Sequence, residues 1–326
     1  RFWLAGSVVN RDMSAFGFIA PFLIGGALAC VGGEPELAVQ HLVVGACPEM
    51  LKGHDASGIS HEAVPAQPDA GLDGDARLHV ARQHALPVGL VLLVAVAITY
   101  LATGVVRSAL VRTGRVAEIR QRDVHTQPTP SVGGLAMFTG FAGAYLLAQQ
   151  LPALTRGFAP LTPEMTAVFF GGLAILAVGI VDDLYELGAL TKLFGQFAAA
   201  TVMSVLGIAF TVFYVPFGEG TTLILDQIQG MVLSAIFTVL LINAVNFVDG
   251  IDGLAAGLGM IAGTAILIYS LSVLHDQGGA VSAYPPAIIC ALLVGICAGF
   301  LPHNFEPARI FMGDSGSMLL GLLLAA

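Results

Sequence analysis

Seven apolar runs dominate the chain from residue 86 onward: Leu86–Val106, Val132–Leu151, Met165–Val181, Leu193–Phe210, a shorter one at Met231–Val245, Leu254–Leu274 and Tyr284–Leu301. A bilayer core takes about 20 apolar residues per helix. In lipid every backbone polar group must be satisfied internally, which leaves the helix bundle as the architecture for runs of this length. The expected fold is therefore all-α, a polytopic transmembrane bundle of about seven complete spans. An eighth run starts at Ser317 and stops at Ala326, too short to span, so residues 86–326 are expected to be a membrane domain truncated at its C-terminal end. Composition agrees. Of 326 residues 56% are hydrophobic and 11% are charged, against roughly 25% charged in ordinary soluble domains. That excludes a water-soluble enzyme. A net charge of −9, with 13 basic against 22 acidic residues and no basic stripe, excludes a nucleic-acid binder.

The four cysteines do not make a disulfide scaffold. Cys290 and Cys297 lie seven apart in one apolar run, two helical turns or ~10 Å, too far to bridge. Residues 1–85 are an extension of unassigned role. Segment 14–33 is apolar enough for an extra span. Residues 48–84 are polar, with His54, His61, His79 and His84 at spacings that match no metal-ligand set.

Alternating the loops across the bilayer gives two faces. One receives 107–131, 182–192, 246–253 and 302–316, with Arg107, Arg112, Arg115, Arg120, Arg122, Lys192 and Arg309. The other receives 152–164, 211–230 and 275–283, with Arg156 alone. Seven basic residues against one place the first face in the cytoplasm.

That face also carries the unusual polar residues, in four clusters: His125-Thr-Gln-Pro-Thr-Pro-Ser-Val-Gly-Gly134; Asp182-Asp183-Leu-Tyr-Glu186, followed by Lys192; Asn243-Ala-Val-Asn246-Phe-Val-Asp249-Gly-Ile-Asp252-Gly253; and Phe311-Met-Gly-Asp314-Ser-Gly-Ser317. Each alone has a bland reading as a turn or a solvated loop. Together they gather five aspartates, two asparagines, His125, His303 and Lys192 on one rim. Ionisable groups at membrane depth are costly and point to function. Asp249 and Asp252, spaced i,i+3, share a face on a helical turn. Hard oxygen donors in this number suit Mg²⁺, which takes one or two carboxylates plus substrate phosphates. Neither a phosphate-binding Walker sequence nor a dinucleotide fingerprint is present. The Gly-Asp-Ser-Gly at 313–316 superficially resembles that of serine proteases, with no matching His–Asp framework.

The four motifs, in this order and on one face, resemble the polyprenyl-phosphate N-acetylhexosamine-1-phosphate transferases of glycosyltransferase family 4. The runs at 122–125, 243–257 and 302–318 are similar to the actinobacterial branch that makes undecaprenyl- or decaprenyl-diphospho-N-acetylglucosamine. The resemblance covers about 86–326. It implies a plasma-membrane enzyme that transfers N-acetylglucosamine-1-phosphate from UDP-N-acetylglucosamine to a polyprenyl phosphate, releasing UMP, with Mg²⁺ or Mn²⁺ as cofactor. It would serve the first membrane step of cell-envelope polysaccharide synthesis. Carried over, Asp314 is the chief metal ligand with Asn246 second. Asp182 and Asp183 orient or deprotonate the lipid phosphate, while Asp249 and Asp252 shape the nucleotide and metal pocket. Lys192, His125, Asn243 and Arg309 meet substrate or phosphate. A homodimer is implied by the resemblance alone. Ser131 stands where many relatives carry Arg, and their later histidine-rich loop falls beyond Ala326. The competing readings are the sister phospho-N-acetylmuramoyl-pentapeptide transferase, an ion or metal transporter, and an inactive membrane fragment.

Overall fold

The computed structural model describes residues 74–113, 129–215, 221–276 and 279–326, with side chains from Ala85 on. Segment 14–33, the four histidines of the extension, Cys30, Cys47, the arginines at 115–122 and His125 all lie outside the described side chains. Leu78–Ala326 forms one compact unit.

Among the described residues the apolar runs from Leu86 on are carried by eight helices: α1 (Gly74–Arg112), α2 (Gly133–Gln150), α3 (Glu164–Tyr185), α4 (Ala189–Val205), α5 (Gln227–Val248), α6 (Leu254–Asp276), α7 (Tyr284–Asn304) and α8 (Gly313–Ala325). Five of these are long and apolar enough to cross a membrane: α1 from Ala85, α3, α5, α6 and α7. This is fewer than the seven complete spans expected. The α2 run is diluted by glycines and closes on two glutamines, and α4 has only 17 residues.

The boundaries move for local reasons. Helix α5 starts four residues before Met231 because Asp226 and Gln229 form a reciprocal capping box. Helix α3 continues past Val181 through both aspartates to Tyr185, and Glu186 then closes it at φ 48°. Helix α8 begins at Gly313 rather than Ser317, which puts Asp314 in its first turn. The apolar run that reaches Phe210 leaves the helix at Val205 and feeds a short antiparallel hairpin. Its strands are β1 (Val212–Val215) and β2 (Thr221–Ile224), with Val212 opposite Ile224 and Val215 opposite Thr221. Val212-Phe213-Tyr214-Val215 is all β-branched and aromatic, a composition that favours strand. The fold is thus an all-α membrane bundle with one small hairpin at the end of α4.

Two helices are enclosed by the others. Within its span α7 is 83% buried. Helix α8 is buried continuously from Ser315 to Leu323 and packs on α2, α3 and α5. Helices α3, α4 and α5 follow one another side by side, α6 lies along α7, and α1 rests on α7 and α2 with Thr99 against Gly140 and Gly299.

The crossing that seats α8 is made by small residues. A Cβ placed on Gly134 of α2 would lie 2.3 Å from backbone atoms of Ser315 and Gly316, and one on Gly179 of α3 would lie 2.3 Å from the Ser315 Cα. The chain before α2 also runs beside the chain before α8. Phe311 N donates to Pro130 O at 2.8 Å, Gly133 N to Phe311 O at 3.1 Å, and Gly134 N to Met312 O at 3.0 Å. Backbone atoms cannot yield as a flexible side chain can, so Gly179→Ala is expected to cost about 2–3 kcal/mol by overpacking. Gly257→Ala in α6, where nothing lies within 4 Å, is expected to be neutral or to stabilise by up to ~1 kcal/mol through helix propensity. Thermal unfolding in detergent, with Gly257→Ala as the internal control, checks the opposite signs.

Candidate active site

The polar cluster forms where three helix ends meet. Asp182 and Asp183 occupy the last turn of α3, Asp249 caps the C-terminal end of α5, and Asp314 lies in the first turn of α8. The C-terminal end of a helix carries partial negative charge, so the first three acids sit where helix dipoles disfavour them. Each needs a compensating neighbour.

Asp183 finds one in α8. Its Oδ1 accepts from the backbone N–H of Asp314 at 2.7 Å and its Oδ2 from that of Ser315 at 3.2 Å. These are N–H groups that no intrahelical carbonyl can reach, at the end where the dipole favours an anion. Gly313, held at φ +72°, brings the chain close beneath this carboxylate and against Ser131 O.

Asp182 turns the other way. Its Oδ1 accepts from Leu187 N at 2.8 Å, fastening the turn after α3, and its Oδ2 lies 2.9 Å from Lys192 Nζ. Lys192, at the start of α4, donates also to Asp314 Oδ1, so one ammonium bridges two carboxylates. The same Asp314 oxygen accepts from Asn246 Nδ2, which also donates to Ser317 Oγ at 2.8 Å. Ser317 in turn donates to Gly313 O at 3.1 Å.

Asp249 has no such cation. Burial pushes its carboxyl up to about 8, and the negative charges of Asp314, Asp183 and Asp252 push the same way. Lys192 pairs with Asp182 and Asp314, Asp183 rests on backbone N–H groups, and among the described residues Asp249 has neither. The rim carries more negative charge than its own side chains neutralise, and a divalent cation fits that deficit. Among the described residues no three His, Cys, Asp or Glu side chains are grouped so as to hold a metal ion. Mg²⁺ here would draw on one or two carboxylates and complete its shell with water and phosphate oxygens.

The remaining sequence candidates stand further out. Asp252 Oδ2 accepts from Ala308 N at 2.9 Å, and the neighbouring Gly253 N donates to Asn304 Oδ1 at 3.0 Å. Together these hold the 305–312 segment against the turn between α5 and α6. Arg309 is exposed. Its carbonyl accepts from Arg107 Nε at 3.2 Å and its N–H donates to His303 O, so what ties it is backbone. The His303 ring lies 4.7 Å from that of Tyr100. Asn243 sits one turn deeper than Asn246, paired with Gln196. Gln196 and Ser317 join the site without being named as site residues from the sequence, Gln196 standing in an apolar stretch and Ser317 at the end of the fourth polar cluster. The spacing Lys192 to Gln196, i,i+4 on one helix face, is the signal that could find the first of them. Ser315 is fully buried and both glycines of the run make close contacts at the α8 crossing, so the serine and glycines of Gly-Asp-Ser-Gly serve packing and capping while Asp314 faces the rim.

Residues 165–326 match the model of glycosyl transferase family 4. A decaprenyl-phosphate N-acetylglucosaminephosphotransferase of Mycolicibacterium smegmatis is 52% identical over 83% of this chain and 64% of its own length. The protein of the same name from Mycobacterium tuberculosis is 55% identical over 73% of this chain and 59% of its own. A phospho-N-acetylmuramoyl-pentapeptide-transferase of Desulforamulus reducens is 33% identical over 61% of this chain and 59% of its own. The chain therefore spans under two thirds of the length of the mycobacterial relatives. Three of the four motifs (the Asp-Asp turn, the Asn-to-Asp run and the Asp314 helix start) fall inside the stretch that matches the family model.

The Lys192 bridge carries a stability prediction. Asp182 is only 5% exposed, and removing one partner of a buried ion pair leaves the other charge uncompensated. Lys192→Met is expected to destabilise the metal-free protein by about 3 kcal/mol, the low end of that range because the ammonium keeps some contact with water. Adding Asp182→Asn to Lys192→Met is expected to restore part of the loss. A double-mutant cycle followed by thermal unfolding reads both effects.

Proposed function

We propose that this protein transfers N-acetylglucosamine-1-phosphate from UDP-N-acetylglucosamine to a polyprenyl phosphate, decaprenyl or undecaprenyl, and releases UMP. The active rim faces the cytoplasm, where basic loop residues outnumber those of the other face. One observation carries the reading: carboxylates from two helix ends, Asp182 and Asp314, meet on the ammonium of Lys192, with Asp183 resting on the α8 backbone beside them. Such a rim repels a diphosphate unless a divalent cation lies between them. The mycobacterial relatives favour N-acetylglucosamine as the sugar, since the pentapeptide transferase is much less similar, 33% against 52–55% identical.

In this reaction an oxygen of the lipid phosphate attacks the sugar-bearing phosphorus of the nucleotide. The bond from that phosphorus to the bridging oxygen breaks, and UMP leaves with the electron pair. Asp314, with Asn246 beside it and Asp249 across the rim, would hold Mg²⁺. The ion supplies Lewis acidity and neutralises charge on the diphosphate. Lys192, already bridging Asp182 and Asp314, is placed to meet phosphate charge as the reaction develops. Asp252 holds the 305–312 segment in place, and with it Arg309.

Asp183 serves as a positioning group in this scheme. Both of its oxygens are engaged by backbone N–H groups of α8. The lipid phosphate needs little help with its proton, because a phosphate monoester has its second pKa near 6 and is largely dianionic at neutral pH.

The direct test is UMP release from UDP-N-acetylglucosamine by membranes containing the protein, a polyprenyl phosphate and Mg²⁺. Release is expected to require all three and to fall to background in Asp314→Ala. Release that persists without the lipid phosphate, or in that variant, overturns the reading. Asp183→Asn is expected to keep both limbs of the wild-type pH–rate profile at lower amplitude. Loss of one limb would instead make Asp183 the proton acceptor.

A further inference from the structure

Beneath the rim lies a second polar layer that the reaction scheme does not use. Gln196 of α4 is fully buried. Its Oε1 accepts from Asn243 Nδ2 of α5 at 2.6 Å, and its Nε2 donates to Asn243 Oδ1 at 3.4 Å and to Met318 Sδ of α8 at 3.4 Å. Asn243 Nδ2 spends its other hydrogen on Val239 O at 2.8 Å. A buried amide is costly unless its polar atoms are satisfied, and the reciprocal pair provides those partners in a region of otherwise apolar helices.

Each member of this layer stands one helical turn below a rim residue. Gln196 is i+4 from Lys192, Asn243 is i−3 from Asn246, and Met318 is i+4 from Asp314. Lys192, Asn246 and Asp314 meet at a single carboxylate oxygen, Asp314 Oδ1. The three helices that must be held in register at the rim are therefore the three joined one turn deeper. A one-turn offset along a helix is 5.4 Å, so a small slide of α4 against α5 at the lower layer is passed to the upper one.

We propose that Gln196 is a positioning residue: through its pair with Asn243 it sets the register of α4 against α5 and so holds Lys192 and Asn246 on Asp314 in the geometry that admits the cation. The proposal rests on the reading of the rim as a cation-dependent phosphotransferase site. Partners one shell removed from a metal ligand typically alter metal affinity or activity 10- to 100-fold when lost.

The test is Gln196→Met, which keeps length and volume while removing both polar atoms of the amide. Two measurements are made on the purified full-length protein: the rise in unfolding temperature as Mg²⁺ alone is titrated in, and the Mg²⁺ dependence of UMP release. Gln196→Met is expected to need about tenfold more Mg²⁺ for half of the stabilisation and for half-maximal release. The KM for the lipid phosphate is expected to stay at its wild-type value. An unchanged Mg²⁺ midpoint overturns the proposal, whether or not the unfolding temperature has fallen, because a merely structural role lowers stability without moving that midpoint. If Gln196→Met does not insert, Gln196→Asn, which withdraws the amide by one methylene, carries the same expectation and is overturned by the same result. Failure of the reaction reading is seen separately, as wild-type protein that is stabilised by Mg²⁺ yet releases no UMP.

Discussion

The N-terminal end of α8 resting on the Asp183 carboxylate is the interaction on which the rest depends. It joins the negative end of one helix to the positive end of another through two charge-assisted hydrogen bonds. For that meeting α8 must enter the bundle between α2 and α3 at backbone contact. Gly134 and Gly179 make this possible, because a methyl group at either place would fall inside Ser315. Once α8 is seated, Asp314 is carried to the rim in its first turn and Met318 to the layer below. Neither could reach its partners from a helix displaced by the width of a side chain.

The electrostatics follow from that placement. Three of the four rim acids lie at helix C-terminal ends, where the dipole is against them, and burial adds to the disadvantage for Asp249. A fold selected for stability alone would put Lys or Arg there. The protein instead keeps one ammonium among several carboxylates, and a bound cation would relieve much of that local cost. In the proposed reaction the excess of acids would hold that cation, which would supply positive charge toward the substrate phosphates, while Lys192 is anchored by Asp182 at its base.

Much of this is legible in the amino-acid sequence. Hydropathy alone places a helix on every span, since a stretch such as Tyr284–Leu301 has no other satisfied conformation in lipid. The order of the polar motifs identifies the residues that converge on Asp314, because acids at span ends on one face are too costly to be incidental. Partnership is not legible. The sequence does not say that Asp183 faces backbone while its neighbour Asp182 faces Lys192, because that choice is made by the path of α8, 131 residues further on. Nor does it say that Asn243 pairs with Gln196 rather than with the rim, since a lone glutamine in an apolar run raises little contrast. The hairpin after α4 is hidden for a different reason. Val212–Val215 extends the apolar run without a break in hydropathy, and only its β-branched and aromatic content separates it from helix.

The Gly-Asp-Ser-Gly run shows how far the meaning of a motif depends on its surroundings. In water, next to a histidine, such a serine is a nucleophile. Here Ser315 is enclosed between two helices, and its backbone N–H answers the Asp183 carboxylate. The flanking glycines serve the same end, one by turning the chain at φ +72° and the other by letting α2 approach. What distinguishes the two uses is the solvent. Sealed from water, Ser315 gives up its reactivity, and with the two glycines it supplies a helix start that sets Asp314 facing Lys192 and Asn246. The chemistry proposed for the rim thus rests on residues that take no part in it.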